Sequence, residues 1–384
     1  MENPFRNARS YLVEDHREND GRDGEGSVVE LRNGNLLLLY SHFYHGNKDA
    51  SAACIVQRIS TDGGVTWSER ETLFSAPAGA LNNMSVSLLR LQDGRIGCIF
   101  CTKWSTEYLV PMWTYSEDEG KTWATPSPVT DETEYFVVNN DRLIQLMDGA
   151  LVLPYACHGK FENDDVKGRF NPAWNAECGV FFSRDAGKTW TRSPHRIRHT
   201  PALFRMPLHW EKEAFGEMEQ EILEHRLGLF QEPGVVEVDN GQLMMFMRSL
   251  YGTYRCFADT PESTWRDCDV IEGFHVCCGP QTIKRLPGSE WLVMLYNDRG
   301  DVPWGTTKFQ WRTPLSIALS NDEGRTWRHL DNLEDESRNY CYFSLLFYQN
   351  RFLITCYESA AVEGGSKRRN LASLKICLGS LYDV

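Results

Sequence analysis

Two side chains of opposite charge, Glu232 and Arg248, stand near the two ends of the segment QEPGVVEVDNGQLMMFMRS, residues 231–249. The segment reads as an apolar strand, an Asp-Asn-Gly turn and a second apolar strand, which predicts a β-hairpin. A hairpin brings its two ends together, so the carboxylate and the guanidinium should face each other. A carboxylate there can accept a proton, and a guanidinium can bind an anionic group. The pair is therefore either a surface ion pair or two walls of a pocket.

The same hairpin pattern occurs six times along the chain. In each copy, turn residues precede an apolar run that ends in an aromatic residue or Met: NGNLLLLY (33–40), DGRIGCIF (93–100), DGALVLPY (148–155), NGQLMMFM (240–247), SEWLVMLY (289–296) and NRFLITCY (350–357). Units of three or four strands that recur every ~50–90 residues indicate radial repetition. We therefore predict an all-β fold, a six-bladed β-propeller of four-stranded antiparallel blades.

The six hairpins can be aligned on the last residue of each apolar run. Counting back fifteen residues reaches the start of the preceding strand, where all six residues are polar or hydroxylated: Glu25, Ser85, Asn140, Glu232, Gln281 and Tyr342. A second row lies one residue beyond each run: Ser41, Cys101, Ala156, Arg248, Asn297 and Glu358. Both rows lie at the same end of the hairpins, so in a propeller they would rim one mouth of the central channel. The alternative interpretation is that the residues of these rows are polar only because strand ends meet water.

An octet with the pattern S-x-D-x-G-x-T-W recurs as STDGGVTW (60–67), SEDEGKTW (116–123), SRDAGKTW (183–190) and SNDEGRTW (320–327). A degraded copy, ADTPESTW (258–265), keeps only the final Thr and Trp. The Asp can accept backbone N–H bonds, the Gly supplies a positive φ and the Trp can pack into a neighbouring core. Each copy has one carboxylate, which favours a structural turn over a Ca²⁺ site.

The repeats cover nearly the whole chain, so we predict one propeller domain over residues 1–384. Residues 192–230 are long for a link between blades and should form an insertion between blades three and four. Within them, WEKEAFGEMEQEILEHRLG has the pattern of a helix or of an excursion over one face.

The composition of the chain argues against several classes of binding partner. The chain has 384 residues and a formal charge of −13, with no basic run beyond Lys367–Arg369, so nucleic acid and anionic membranes are poor partners. The N-terminal residues carry no apolar signal segment, and twelve cysteines without an export signal are typical of reduced thiols, so we expect a cytoplasmic protein. There is no CxxC or HExxH motif, and we expect neither a metal nor another cofactor.

With these motifs the sequence resembles the sialidase (neuraminidase) superfamily. The octets look like its Asp-boxes, and the whole chain is most similar to uncharacterised sialidase-like propellers of bacteria that degrade glycans. The blade-four hairpin matches the family's Glu and Arg with Glu232 and Arg248. RTPLSIALSNDEG (312–324) is similar to the segment with another substrate-binding arginine, here Arg312. YFSLLFYQNRFLITCYE (342–358) resembles the segment with the nucleophilic tyrosine, here Tyr342. NKDASAACIVQRISTDGG (47–64) resembles the segment with the acid/base aspartate, here Asp49.

This resemblance implies a mechanism. Sialidases use a tyrosine nucleophile in place of a second carboxylate. A phenol of pKa ~10 needs a base, so Glu232 would take the proton of Tyr342, and Asp49 would protonate the leaving oxygen. Arg248 and Arg312 would bind the anionic group of the sugar.

One departure from the family bears on the substrate. Sialidases have a first-blade arginine just before the position of Glu25, and this chain has Gly24 there. Arg22 from upstream or Arg142 from blade three are the possible substitutes, although neither matches the family pattern. The departure predicts an acidic or unusual sugar other than sialic acid. We also take three residues of the aligned row, Glu25, Asn140 and Gln281, as candidate substrate-binding residues. Asp141 and Arg142, which follow Asn140, are further candidates.

The leading hypothesis is an exo-acting glycoside hydrolase that acts on a small oligosaccharide or glycoside. The alternatives are a sugar lyase on the same propeller and a carbohydrate-binding propeller without catalysis. A homo-oligomer is possible. The distance between the Tyr342 hydroxyl and the Glu232 carboxylate distinguishes these hypotheses, since a hydrolase of this type needs the two groups in hydrogen-bond reach.

Overall fold

The structure, a computed structural model, describes residues 3–16, 21–159, 175–204, 226, 228–249, 252–272, 279–298, 312–360 and 372–381. Within these residues the chain is almost entirely β, with short 3-10 helices at Pro201–Leu203 and Asp239–Gly241. None of the helices described is long and apolar enough to cross a membrane. The predicted helix in the 192–230 insertion falls mostly on residues 205–225, outside the described residues.

The strands form six antiparallel sheets, each with four strand positions counted outward from the central channel. The first strand, β1 (Phe5–Glu14), belongs to the last blade. Blade one contains β2 (Arg22–Glu30), β3 (Leu36–His45), β4 (Ala52–Ser60) and β5 (Glu71–Phe74). Blade two contains β6 (Asn82–Arg90), β7 (Ile96–Lys103), β8 (Leu109–Ser116) and β9 (Ser127–Pro128). Blade three contains an interrupted inner strand, β10 (Tyr135–Val137) and β11 (Ile144–Gln145), then β12 (Leu151–His158), β13 (Glu177–Ser183) and β14 (Thr191–Arg192).

The other three blades repeat the arrangement. Blade four contains β15 (Gln231–Glu237), β16 (Leu243–Arg248), β17 (Thr253–Ala258) and β18 (Arg266–Val270). Blade five contains β19 (Thr282–Arg285), β20 (Leu292–Tyr296), β21 (Leu315–Ser320) and β22 (Arg328–Glu334). Blade six contains β23 (Arg338–Tyr348), β24 (Arg351–Ala360) and β25 (Ala372–Leu381), with β1 as its fourth strand. The predicted six-bladed propeller of four-stranded blades is confirmed.

The ring is closed by pairing the two ends of the chain. Strand β1 runs antiparallel to β25, with Phe5 opposite Leu381 and Ser10 opposite Cys377. The outer strand of blade six therefore comes from the N-terminal part of the chain, and the last blade has four strands only with β1 in place. This pairing covers an edge that would otherwise be open.

The hydrophobic core lies between the blades. Six clusters of buried apolar side chains each draw on two neighbouring sheets, one cluster for each blade interface. The second strands are the most deeply buried; in β3, for example, Leu36 to Tyr40 have no exposed surface. A strand buried on both faces reads as a continuous apolar run, which explains the six repeated runs in the sequence.

The octets form the turn between the third and fourth strands. In the first octet, Asp62 accepts bonds from the Thr66 backbone N–H (2.9 Å) and hydroxyl (2.6 Å), and Trp67 Nε1 donates to Gly64 O (3.1 Å). The same bonds recur in blades two and five, and the Asp–Thr pair recurs in blade three. The octets thus form turns in which the Asp accepts bonds from the Thr, as the sequence predicts. Since strands alternate in direction, these turns lie on the face opposite the aligned polar row.

Candidate active site

Four inner strands carry a β-bulge at the aligned polar residue. Glu25, Ser85, Glu232 and Tyr342 have φ of 50°, 60°, 47° and 57°, and in each blade the ladder register shifts around the residue. A positive φ is uncommon for residues other than glycine, and a bulge leaves two residues opposite one, which redirects the side chain. In these four blades the row predicted by counting residues coincides with a strained backbone position.

Blades three and five depart from this pattern. In blade three the positive φ falls on Asp141 (59°), one residue beyond Asn140, because the inner strand is interrupted between β10 and β11. In blade five, Gln281 is not among the residues with a positive φ. The second row is also shifted by one residue in blade six. In blade one, the residue before the bulge, Gly24, pairs with the second-row residue Ser41. In blade six, the equivalent residue Cys341 pairs with Tyr357, so Tyr357 occupies the position that counting residues gave to Glu358.

A cavity of about 400 Å³ opens at the end of the channel where the inner strands begin. All four bulge residues line it. Its other polar and charged lining residues come from the first three blades and the loops beside them: Arg22, Lys48, Asp49, Lys103, Thr106, Tyr135, Asn139 and His158. Met84, Leu109, Val137 and Val138 give part of the wall an apolar surface. This mixture of apolar walls and convergent polar groups is typical of a ligand site.

Tyr342, Glu232 and Arg248 form a bonded chain at this cavity. The Tyr342 hydroxyl donates to Glu232 Oε1 at 3.0 Å, and Arg248 donates to Glu232 Oε2. Burial alone would raise the pKa of Glu232, but Arg248, Arg312 and the Tyr342 hydroxyl outweigh it and lower the pKa below its ordinary value. Burial, then the Glu232 charge, raises the pKa of Tyr342. The resting pair is therefore a carboxylate that accepts a hydrogen bond from a neutral phenol.

Arg312 approaches the same tyrosine from blade five. Its guanidinium carbon lies 5.3 Å from the centre of the Tyr342 ring, within the range of a cation–π contact. The two other aromatic residues near Tyr342 in this strand, Tyr340 and Phe343, face away from the site. Both are 1% exposed and pack in the core between blades five and six. Tyr342 is thus the residue of this strand whose hydroxyl meets Glu232.

Arg22 joins the blade-one side of the site. Its guanidinium donates to Asp49 Oδ1 (2.5 Å), to Glu25 Oε1 (2.7 Å) and to the Tyr357 hydroxyl (2.9 Å). The Asp49 side chain keeps 69% of its surface exposed, and the charge of Arg22 lowers its pKa. Asn82 fixes the loop of Asp49, because its Nδ2 donates to Asp49 O (2.9 Å) and Ser51 O (2.8 Å).

Tyr357 explains why position 24 is a glycine. A Cβ added to Gly24 would lie 2.3 Å from Cε1 of the Tyr357 ring, so no side chain fits there. The ring stands edge-on to Tyr342, with centroids 5.7 Å apart, and its hydroxyl bonds both Arg22 and Glu25. The aromatic ring of Tyr357 therefore fills the space beside Glu25. Arg22, two residues before Gly24, supplies the guanidinium on this side of the site.

The structure thus brings six of the predicted site residues together. Tyr342, Glu232, Asp49 and Glu25 line the cavity, and Arg248 and Arg312 contact Glu232 and Tyr342 beside it. The other four predicted residues do not line the cavity. Asn140 and Gln281 are almost fully buried, Asp141 bonds Ser27, Leu345 and Lys284, and Arg142 donates to Gln281 O and Thr282 Oγ1. Burial lowers the pKa of Arg142 to about 10. These four make contacts within the protein where substrate contacts were predicted.

Six residues of the cavity or its wall were not selected as site residues from the sequence: Ser85, Lys103, Tyr135, Asn139, His158 and Tyr357. Lys103, Tyr135 and His158 lie at the cavity ends of β7, β10 and β12, so a search of every strand end on this face would have found them. Tyr357 was read only as the end of an apolar run. Among the described residues, no group of three or more His, Cys, Asp or Glu side chains is placed to hold a metal.

Relatives of the chain share this fold. The Bacteroides fragilis (strain YCH46) protein named sialidase is 23% identical over 380 residues, which cover 87% of this chain and 59% of the relative. The chain therefore spans less than two thirds of that protein. A Dyadobacter fermentans protein of unknown function superimposes with a TM-score of 0.68 at 16% identity, over 98% of this chain and 99% of that one. The Trypanosoma rangeli sialidase in complex with sialic acid superimposes with a TM-score of 0.66 at 13% identity, over 96% and 58%.

Two family models match the sequence. The BNR/Asp-box repeat model matches residues 58–69, which include the first octet. The model of the BNR repeat-like domain matches residues 99–354, which is more than half of the chain. The resemblance seen in the octets is thus confirmed: the chain belongs to the BNR repeat-like domain family of the sialidase-like superfamily.

Proposed function

We propose that the protein is an exo-acting glycoside hydrolase of sialidase type that acts on an acidic or unusual sugar. The observation behind this proposal is the 3.0 Å hydrogen bond from the Tyr342 hydroxyl to Glu232 in a cavity of about 400 Å³. An ionised carboxylate that accepts a hydrogen bond from a partly buried phenol is the arrangement that a tyrosine nucleophile needs. The sialidase named among the relatives supports a carbohydrate substrate.

The proposed reaction has two steps. Tyr342 Oη attacks the anomeric carbon while its proton passes to Glu232, the glycosidic bond breaks, and Asp49 gives a proton to the leaving oxygen. In the second step Asp49 takes a proton from water, the water oxygen attacks the anomeric carbon, and Tyr342 leaves and recovers its proton from Glu232. Because the pKa of Tyr342 is raised, the phenol loses its proton only as the new bond forms.

Asp49 has to gain a proton before it can act as an acid. In the resting site it is held as a carboxylate by Arg22, which lowers its pKa. Its side chain is exposed to solvent, so protons can reach it from water. We propose that Asp49 takes up a proton from solvent before the glycosidic bond breaks.

The charges around the cavity support an acidic sugar. Arg22, Lys48 and Lys103 line it, and Arg248 and Arg312 adjoin it. In the part of the chain that the structure describes, three carboxylates line the cavity beside these five cations, those of Glu25, Asp49 and Glu232. Arg22 is already bound to two of the carboxylates and Arg248 to the third, so Arg312 is the better partner for a carboxylate on the sugar. This differs from a site with three arginines and favours a substrate other than a simple sialoside.

A panel of 4-methylumbelliferyl glycosides tests the proposal. It includes a sialoside, uronides and neutral sugars, and each is assayed with wild type, Glu232→Gln and Tyr342→Phe. We expect cleavage of an acidic glycoside and a loss of at least about 100-fold in kcat for both variants. Tyr340→Phe is the matched control, since this buried tyrosine of the same strand packs in the core away from Glu232.

Three results would count against the proposal. Cleavage of no glycoside would favour a binding propeller. Full activity of Glu232→Gln or Tyr342→Phe would exclude the proposed nucleophile and base. Release of an unsaturated product that absorbs ultraviolet light would identify a lyase.

A further inference from the structure

We propose that Asn140 is a positioning residue. From across the central channel, it holds the backbone at Tyr342 and next to Glu25 in place. Asn140 is 1% exposed, and its Nδ2 donates to Tyr342 O at 3.0 Å and to Gly26 O at 2.9 Å. One carbonyl belongs to the proposed nucleophile, and the other to the residue that follows Glu25. The inference rests on the proposed function, because it gives Asn140 a role in the geometry of that site.

The two carbonyls belong to bulges that need a partner. Tyr342 and Glu25 both have a positive φ, and in each bulge the ladder register is broken. A bulge leaves a backbone group without its usual ladder partner, and a buried carbonyl without a hydrogen bond is costly. A side-chain amide has two N–H groups, so Asn140 can satisfy both carbonyls at once. Both donors are then used within the protein.

The residues after Asn140 anchor it on other blades. Asp141 accepts bonds from Leu345 N (2.8 Å) in blade six and from Ser27 Oγ (3.2 Å) in blade one. Arg142 donates to Gln281 O (2.6 Å) in blade five, and its backbone N–H donates to Ser87 Oγ (2.7 Å) in blade two. This segment, residues 140–142, crosses the channel where the inner strand of blade three is interrupted. Asn140 is the member that bonds the bulges of the site directly.

A general stabilising role would give a different outcome. If Asn140 only holds the blades together, its loss should lower stability and leave the bond between Tyr342 and Glu232 unchanged in the folded protein. If it positions Tyr342, its loss should change that bond in molecules that remain folded. The two roles can therefore be separated by a signal from the Tyr342 hydroxyl itself.

The test uses the full-length protein labelled with tyrosine enriched in ¹³C at Cζ. The Tyr342 resonance is assigned by its absence in Tyr342→Phe, and Glu232→Gln gives its position without the carboxylate partner. We expect Asn140→Asp, which replaces the two donors by an acceptor of the same size, to move the resonance at least halfway toward its position in Glu232→Gln. Asn140→Ser, which keeps one donor, should move it less and is the readout if Asn140→Asp does not fold.

Asn83→Asp is the matched control. Asn83 is also buried, and its Nδ2 also bridges two carbonyls, those of Phe74 (3.3 Å) and Ser75 (3.1 Å), but it does not line the cavity. Its substitution should leave the Tyr342 resonance in place. An unchanged Tyr342 resonance in a folded Asn140 variant would overturn the proposal, as would an equal shift in Asn83→Asp.

Kinetics supply a second readout on any glycoside that wild type cleaves. We expect Asn140→Asp to lower kcat by about 10- to 100-fold with little change in KM, since a displaced nucleophile affects the reaction more than binding. A rise in KM with kcat unchanged would contradict the positioning role. The resonance does not depend on turnover, so a protein that cleaves nothing in the panel would count against the proposed hydrolase and still allow the role of Asn140 to be judged.

Discussion

At the scale of single residues, the ion pair between Arg22 and Asp49 controls the protonation of the proposed acid. Arg22 lowers the pKa of Asp49, so the fraction of protonated Asp49 falls as the pH rises above that lowered value. For a glycoside that needs protonation of its leaving group, kcat/KM should therefore decrease from acidic toward neutral pH.

Arg22→Gln should move this decrease to higher pH. Without the cation, the pKa of Asp49 returns toward its ordinary value, and protonated Asp49 persists at higher pH. The measurement is kcat/KM against pH on a glycoside that wild type cleaves. Arg58→Gln is the control, because Arg58 pairs with Glu14 and does not line the cavity. If the decrease stays at the wild-type pH in Arg22→Gln, Asp49 is not the group that controls it.

A second prediction at the scale of single residues concerns the contact between Gly24 and Tyr357. Gly24→Ala would place a Cβ 2.3 Å from the Tyr357 ring, and such overpacking should lower the free energy of unfolding by about 1–3 kcal/mol. In the double variant with Tyr357→Leu, the cost of Gly24→Ala should become smaller, since the ring is gone. Urea unfolding of the four proteins measures the coupling, and additive effects would mean that the two positions do not meet.

At the scale of elements, the octet turns are stabilised by their Asp side chains. In the fifth blade, Asp322 accepts bonds from the Thr326 backbone N–H (2.8 Å), the Thr326 hydroxyl (2.6 Å) and the Ser320 hydroxyl (2.8 Å). Asp322→Ala should therefore lower the free energy of unfolding by about 1–3 kcal/mol, while Ala at the exposed neighbour Asn321 should change it little.

The effect of Asp322→Ala should depend on pH. Burial opposes the shift, but bonds from Thr326 and Ser320 lower the pKa of Asp322, so its contribution is complete above the ordinary pKa and is lost as the pH falls through the lowered one. Thermal unfolding of both proteins at a series of pH values measures this. A difference in Tm between wild type and Asp322→Ala that grows toward acidic pH would contradict this prediction. A change in the Tm of wild type on adding EDTA would favour the Ca²⁺ interpretation of the octet.

At the scale of the whole molecule, the pairing of β1 with β25 closes the ring. Ser10 and Cys377 are opposite each other in this antiparallel pair, where Cα atoms lie about 4.5–5.5 Å apart, a separation that suits a disulfide. Ser10→Cys should therefore form a bond with Cys377 under oxidising conditions and stabilise the protein by about 2–4 kcal/mol, with a higher Tm.

Reduction should abolish this gain, and the double variant Ser10→Cys with Cys377→Ser should not show it. Mass spectrometry establishes whether the bond has formed. If it forms and Tm does not rise, closure at β1 does not limit the stability of the ring.

The sequence by itself determined the architecture. Strands buried on both faces need continuous apolar runs, and turns need Gly, Asn and Asp, so six hairpins and the octets could be read from spacing alone. The same regularity led to Glu25, Glu232 and Tyr342, because equivalent strands begin at equivalent places in a radial repeat. The roles of Asp49, Arg248 and Arg312 came from resemblance to a family and are still predictions.

Only the tertiary structure decided where each polar side chain points. Apolar periodicity reveals neither an interrupted strand nor a one-residue shift in register. Asn140 and Asp141 were therefore assigned to the wrong environment, and Tyr357 was overlooked. Tyr357 lies 335 residues from Arg22 in the sequence, and only ring closure brings it to Arg22 and Glu25. Whether a buried Asn meets a substrate or two backbone carbonyls depends on contacts between blades, which no local pattern in the sequence records.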